Sequence, residues 1–244
     1  MLFFHMLMGC RRRNYCLSIT ALFLLTGLLL AAVSQIVVAA PATPQPSAVD
    51  LLQGIESKYN RLRSVRMRFQ QLYRQGRQTL RREEGTLYLS KPGQMRWEYE
   101  TPEPKLFLSD GQKLLLYVPS ENRMTETQLK NSGDLRTPLS LLLGQLRLQE
   151  EFDEIIQGPF DLPPLEAGNT VLKATPKHFE GRLEWVVFEI NPKSEIRRII
   201  VAEPGGMQTE FRFEQEERNI PVAASLFRFE PPSGTEIVRE QGFQ

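Results

Sequence analysis

The stretch 91–119, KPGQMRWEYETPEPKLFLSDGQKLLLYVP, constrains this chain more than any other, because it writes three short apolar strands between turn signals. In the first, Met95, Trp97 and Tyr99 alternate with Arg96, Glu98 and Glu100. A period of two sets one aromatic face against one charged face, as a half-buried strand requires. The second strand, around 106–108, runs into Asp110-Gly111. Both residues tolerate the positive φ of a tight hairpin, so the pair predicts a two-residue turn. Leu114, Leu116 and Val118 return along the third strand, with Tyr117 on its other face.

The flanks extend the pattern. Ser47 with Asp50 three residues later predicts a helix start, and Leu51, Leu52, Ile55, Tyr59 and Leu62 follow at helical spacing. The period then changes to two. Val65, Met67, Phe69 and Tyr73 face one way and Arg66, Arg68 and Arg74 the other, up to a turn near Gly76. A strand over 79–90 carries Leu87 and Leu89 on one face, and its opening, 81–84, reads as exposed and polar. After a further strand over 122–129, Thr137 and Pro138 open a short helix whose 139–148 run is too apolar on all sides for a wet surface. The acidic segment 148–156 is ambiguous, and 158–169 is a loop rich in Pro and Gly. Strands over 171–175, 184–190, 195–202 and 207–215, spaced by Gly181, Asn191-Pro192 and Gly205-Gly206, predict a meandering antiparallel sheet curled toward a barrel.

Residues 1–42 read as an address. Arg11, Arg12 and Arg13 precede a stretch without charge over 14–49, and Ala40 and Ala42 supply the small residues of a secretory cleavage site. The expected cut follows Ala42; an uncleaved membrane anchor is the alternative, because the apolar core is long. A Pro-rich tether, 43–49, leads to one domain over 50–244. Both cysteines, Cys10 and Cys16, lie in the leader, so the exported chain needs no disulfide. Without the leader, 27 basic face 29 acidic side chains. That near-neutral balance argues against nucleic acid as partner.

The chemistry available is apolar. With His178 the one histidine beyond the leader and no cysteine there, thiolate catalysis and Cys/His metal sites are excluded. Glu83-Glu84, Glu150-Glu151 and Glu216-Glu217 read as solvated pairs. Met67, Phe69, Met95, Trp97, Tyr99, Leu108, Phe188, Phe211 and Phe213 are the candidates for an inner face. From periodicity alone that face is either an ordinary packed core or the lining of a ligand cavity.

The order of a basic residue and Pro, an aromatic strand, a Pro-rich break, a Ser-Asp-Gly hairpin and a Tyr-x-Pro resembles the outer-membrane lipoprotein carrier proteins, the LolA-like family of the Gram-negative periplasm. Thr137-Pro138 with Leu139, Leu141, Leu142 and Leu143 resembles the family's lid helix, and Phe227, Phe229, Pro231, Pro232 and Gly234 resemble its closing strand and loop. The resemblance runs over about 50–238. It implies an α+β fold, a curved antiparallel sheet forming an incomplete barrel with helices near 50–62 and 137–146 over an apolar cavity. It implies a periplasmic monomer, not an enzyme and without a cofactor, that takes lipoprotein acyl chains from an inner-membrane release complex to an outer-membrane receptor. Met95 and Trp97 fall on positions that line the family's cavity. Lys91 stands where the family carries an Arg that latches the lid; a Lys latch is weaker, Arg96 is the substitute, and a plain surface lysine is the alternative. The rival functions are a carrier of another lipid or glycolipid and a sensor domain on the same fold.

Overall fold

The computed structural model of the protein describes residues 46–128, 147–177 and 183–240. The leader, the expected lid over 137–146 with Leu139, Leu141, Leu142 and Leu143, and His178 all lie outside the described residues.

Helix α1 spans Ala48–Arg61. Ser47 stays extended and accepts from the Asp50 N–H while the Asp50 carboxylate accepts from the Ser47 N–H, so two of the helix's orphan donors are met reciprocally. Leu51, Leu52, Ile55 and Tyr59 form its buried stripe. At the other end the Leu62 N–H returns to the Tyr59 carbonyl.

Twelve strands follow: β1 Ser64–Gln75, β2 Gln78–Ser90, β3 Gln94–Thr101, β4 Lys105–Asp110, β5 Lys113–Val118 and β6 Arg123–Gln128. A single helical turn, α2, Leu148–Glu151, resolves the ambiguous acidic segment and leads into β7 Phe152–Gln157. Then come β8 Thr170–Pro176, β9 Trp185–Ile190, β10 Ile196–Ala202, β11 Met207–Arg218 and β12 Glu236–Glu240. All belong to one sheet in the order β12-β6-β5-β4-β3-β2-β1-β11-β10-β9-β8-β7. Each pair is antiparallel except β12 with β6. Between β4 and β5 the turn has two residues, Gly111, at φ 98°, and Gln112, one position later than the expected Asp110-Gly111; Asp110 ends β4, and its carboxylate accepts from the N–H groups of Gln112 and Lys113.

The sheet is curved and unclosed, with β12 and β7 as its ends. Seven adjacent strands at about 4.8 Å spacing would span about 29 Å if flat. Yet Trp97 on β3 and Leu172 on β8, the first and last of those seven, join one continuous core with the α1 stripe. Only a sheet wrapped around the helix brings them together. Register shifts on β1 between Arg66 and Arg68 and between Tyr73 and Arg74, and on β2 between Glu84 and Gly85, tighten the twist there.

The convex face is also covered. The Pro- and Gly-rich loop 158–169 brings Phe160 and Leu162 against Val171, Val187 and Ile200. Beneath the same loop lie three buried charges. Arg198 pairs with Glu189 at 2.6 Å and stands 3.9 Å from Glu210, while its Nη2 donates to the Pro163 carbonyl. Glu189 Oε1 accepts from the Leu165 N–H and Asn169 Nδ2, each at 2.6 Å. Further along, 219–235 crosses the convex face from Ser64, whose hydroxyl donates to the Ile220 carbonyl, to Asn122, whose Nδ2 donates to the Gly234 carbonyl. That crossover delivers β12 alongside β6 in the same direction, a parallel pair the antiparallel expectation did not contain.

Two stability effects follow. An ideal Cβ on Gly85 would stand 1.8 Å from the Glu98 carbonyl oxygen and 3.0 Å from Phe69 Cε1. Gly85→Ala is therefore expected to cost about 1–3 kcal/mol in urea denaturation; no loss would mean that β3 shifts freely away from β2. Arg198→Met leaves Glu189 buried without its cation, and the expected loss is about 3–5 kcal/mol by the same measurement.

Candidate functional site

The concave face is built by alternation, one residue in two from each strand. Across the sheet, Phe213 pairs with Phe69, Leu87 with Trp97 and Met67, Met95 with Leu89, and Phe188 with Ile199. Gly85 stands between Phe69 and Tyr99 in the register. Its missing side chain lets the two rings meet across β2, with centroids 4.9 Å apart and edge on. Trp97 occupies the centre of the aromatic wall. Its ring lies 4.5 Å from Phe69, 5.6 Å from Phe211, 6.4 Å from Phe213 and 6.2 Å from Tyr99. Edge-on and offset pairs of this kind contribute about 0.5–1.5 kcal/mol each beyond area burial.

Of the residues expected on this face, Met67, Phe69, Met95, Trp97, Phe188, Phe211 and Phe213 belong to the concave core, and Tyr99 packs against it. Leu108 does not. It pairs with Arg96, whose neighbours Trp97 and Met95 point inward, so Leu108 is buried on the convex side; Phe107, opposite Trp97, takes the inner position. The α1 stripe, with Leu148 and Phe152, fills the hollow from above.

The two basic residues considered as latches part company. Lys91 Nζ donates to the Tyr59 carbonyl at 2.7 Å. It thus holds the C-terminal turn of α1, where the carbonyls carry negative partial charge. Partial burial draws its ammonium below the ordinary lysine value. Arg96 is on the convex face instead. Its Nε pairs with Glu98 at 2.6 Å and its Nη1 donates to the Leu226 carbonyl at 3.0 Å, so it secures the crossing segment rather than a cover over the hollow. The same turn of α1 is tied twice more. Tyr59 Oη donates to Glu216 at 2.6 Å and accepts from the Ile196 N–H at 3.2 Å. Burial first, and then the Glu216 charge, push that phenol well above its usual value. Lys58 pairs with Glu195 at 3.2 Å and Glu216 at 3.7 Å.

Beyond Phe69 and Tyr99 the concave wall turns polar. Tyr99 Oη donates to Gln71 at 2.8 Å, Gln71 donates to Tyr73 Oη at 2.7 Å, and Tyr73 Oη lies 3.4 Å from Glu83 Oε2. Both Glu83 oxygens lie 2.7 Å from Lys105 Nζ, and Oε1 lies 2.6 Å from Arg81 Nη2. The Lys105 ammonium also sits 4.1 Å from the centre of the Tyr99 ring. Burial, with Glu83 next, pushes the Tyr73 phenol up to about 12, and burial raises Tyr99 further. Both therefore stay protonated donors at neutral pH. The expectation of a solvated Glu83-Glu84 pair fails for half of it: the Glu83 side chain is 1% exposed and that of Glu84 39%. Adjacent strand residues point to opposite faces, and the period of two would have separated them. Glu216 and Glu217 divide the same way.

Comparison with known proteins agrees with this architecture. Residues 60–230 match the family described as outer membrane lipoprotein carrier protein LolA. An outer-membrane lipoprotein carrier protein of Dechloromonas aromatica is 28% identical, over 82% of this chain and 91% of its own length. Its counterpart from Chromohalobacter salexigens is 32% identical over 71% of this chain and 79% of its own. Among solved structures, an uncharacterized conserved protein of Thermus thermophilus superposes with a TM-score of 0.51 at 14% identity, covering 80% of this chain and all of that one, a likeness of fold. An aromatic concave wall in an unclosed sheet, a helix in its hollow and a family match over most of the chain lead to one statement: the protein belongs to the LolA family of outer membrane lipoprotein carrier proteins.

Proposed function

We propose that the protein is a periplasmic carrier that shields the acyl chains of lipoproteins against its concave aromatic wall. In this reading it moves them from an inner-membrane release complex to an outer-membrane receptor. The observation that carries the proposal is the run of Phe69, Trp97, Tyr99, Phe211 and Phe213, from β1, β3 and β11, packed edge to face in a sheet that does not close on itself. Apolar chains gain about 0.8 kcal/mol per methylene buried, enough to hold an acyl group without covalent chemistry. Residues 1–42 would direct export and be removed, and 137–146 would cover the hollow. Among the described residues no helix is long and apolar enough to cross a membrane.

Entry of a chain requires α1, the cover, or both to give way. Lys91 is then a closing contact, since its single bond to the Tyr59 carbonyl ties the helix to the rim of the sheet. A charge-assisted bond of this kind contributes about 1.5–3 kcal/mol, small enough to be broken by a membrane or a partner protein.

Two variants test the reading. Trp97→Glu places a carboxylate in the apolar wall at a cost of several kcal/mol, and binding of a fluorescent acylated lipoprotein is expected to fall at least tenfold in protein that remains folded. Unchanged affinity would put the acyl chains elsewhere. Lys91→Leu is expected to speed hydrogen exchange in residues 58–62, to raise cargo retention and to slow transfer to the receptor. If exchange and transfer both keep their wild-type rates, Lys91 is not a closing contact.

A further inference from the structure

The polar end of the concave wall is unlike the rest of the interior. Glu83 is buried inside the curve of the sheet, not on its back, because it shares the face of Gly85 and Leu87. It faces two cations, Lys105 and Arg81, whose side chains are 18% and 50% exposed. One carboxylate against an ammonium and a guanidinium leaves this patch with an excess positive charge and spare N–H donors. Two residues before Tyr99 on β3, Trp97 is fully buried and its indole N–H meets no acceptor among the described residues. A buried donor left unmade is costly. Such a group calls for an explanation, and a guest that brings an acceptor is one.

The chemistry of the cargo supplies the acceptor. An acyl chain does not end in hydrocarbon at its attached end: it ends in an ester or amide carbonyl, which accepts hydrogen bonds and donates none. Drawing the chain along an apolar wall brings that carbonyl out of water as well, and burying it without a donor is unfavourable. Here the wall offers donors where the aromatic stretch stops. Trp97 and Tyr99 are the last rings of that stretch on β3, and Lys105 is paired with Tyr99 on β4. We propose that Lys105, Arg81 and the Trp97 indole N–H form a subsite for the ester carbonyls at the glyceryl end of a diacylated anchor. Glu83 is its positioning residue: it holds the Lys105 ammonium over the Tyr99 ring and fixes the Arg81 fork beside it. Gln71 and Tyr73 complete the frame by linking the Tyr99 hydroxyl to Glu83. The subsite sets how far the chains slide in, and it selects esterified chains over bare hydrocarbon of the same length.

The inference rests on the acyl-carrier reading, and the test separates the two. Diacylglycerol and dialkylglycerol of equal chain length, radiolabelled and delivered from phosphatidylcholine vesicles, present the same apolar chains with and without ester carbonyls. The expected result is that the full-length protein takes up the ester lipid about tenfold more tightly than the ether lipid. In Lys105→Met and in Trp97→Phe, which keeps an aromatic ring and loses the N–H, that ratio is expected to shrink toward one. Equal uptake of ester and ether by the wild-type protein overturns the subsite and leaves acyl binding standing. A tenfold preference that survives intact in both variants overturns it too. Uptake of neither lipid overturns the carrier reading and the subsite with it.

Discussion

A sheet that curls without closing must fill the hollow that its own curvature creates, and α1 does this with Leu51, Leu52, Ile55 and Tyr59. Those four side chains share one core cluster with residues from β1, β3, β9 and β11, so one helix face serves strands as far apart in the sheet as β3 and β9. The burial contributes about 1.5–3 kcal/mol per side chain. The polar ties of Lys58, Tyr59 and Lys91 are all gathered at the last turn, whereas the N-terminal end is capped mainly by itself through Ser47 and Asp50. The helix is thus held firmly at its last turn, by one hydrogen bond from the Leu148 N–H to Glu56 near its middle, and by packing along the rest. Such an arrangement suits a segment that must yield to a guest without leaving the fold.

The two faces of the sheet divide the work. The concave face is aromatic and aliphatic, apart from its polar end. The convex face carries the charges that stiffen the scaffold, and Arg198 between Glu189 and Glu210 shows the cost of that choice, since Glu189 is stranded if Arg198 is removed, whereas Glu210 keeps Arg74 and Arg212. The loop 158–169 and the crossing segment 219–235 keep water from this layer.

Much of this was legible residue by residue. Trp97 and Tyr99 were readable because Arg96, Glu98 and Glu100 mark the opposite face, and Ser47 with Asp50 marked the start of α1 through a local capping rule. Leu108 was not, because Leu106, Phe107 and Leu108 are apolar on both faces of a doubly covered strand, where alternation disappears. Glu83 was misread because a run of charges at a strand opening resembles a solvated surface; its burial depends on Lys105, which arrives from another strand. The partner of Lys91 was out of reach for a similar reason. No spacing along the chain says that a residue after β2 will meet a carbonyl 32 positions earlier. The parallel pairing of β12 likewise depends on the path of 219–235 over the sheet.

That path has a consequence for how the chain acquires its shape. Glu236 pairs with Arg123, 113 residues earlier, so the edge formed by β6 gains its neighbour only through a contact of long sequence separation. Pairings of such long separation form late and slow folding. Until then the hairpins from β3 to β6 have no strap across their back, and Arg96 and Tyr117 lack the Leu226 carbonyl and the Phe229 ring that they meet in the finished fold. A chain cut before 219 would therefore leave the hairpin arm from β3 to β6 without these two ties.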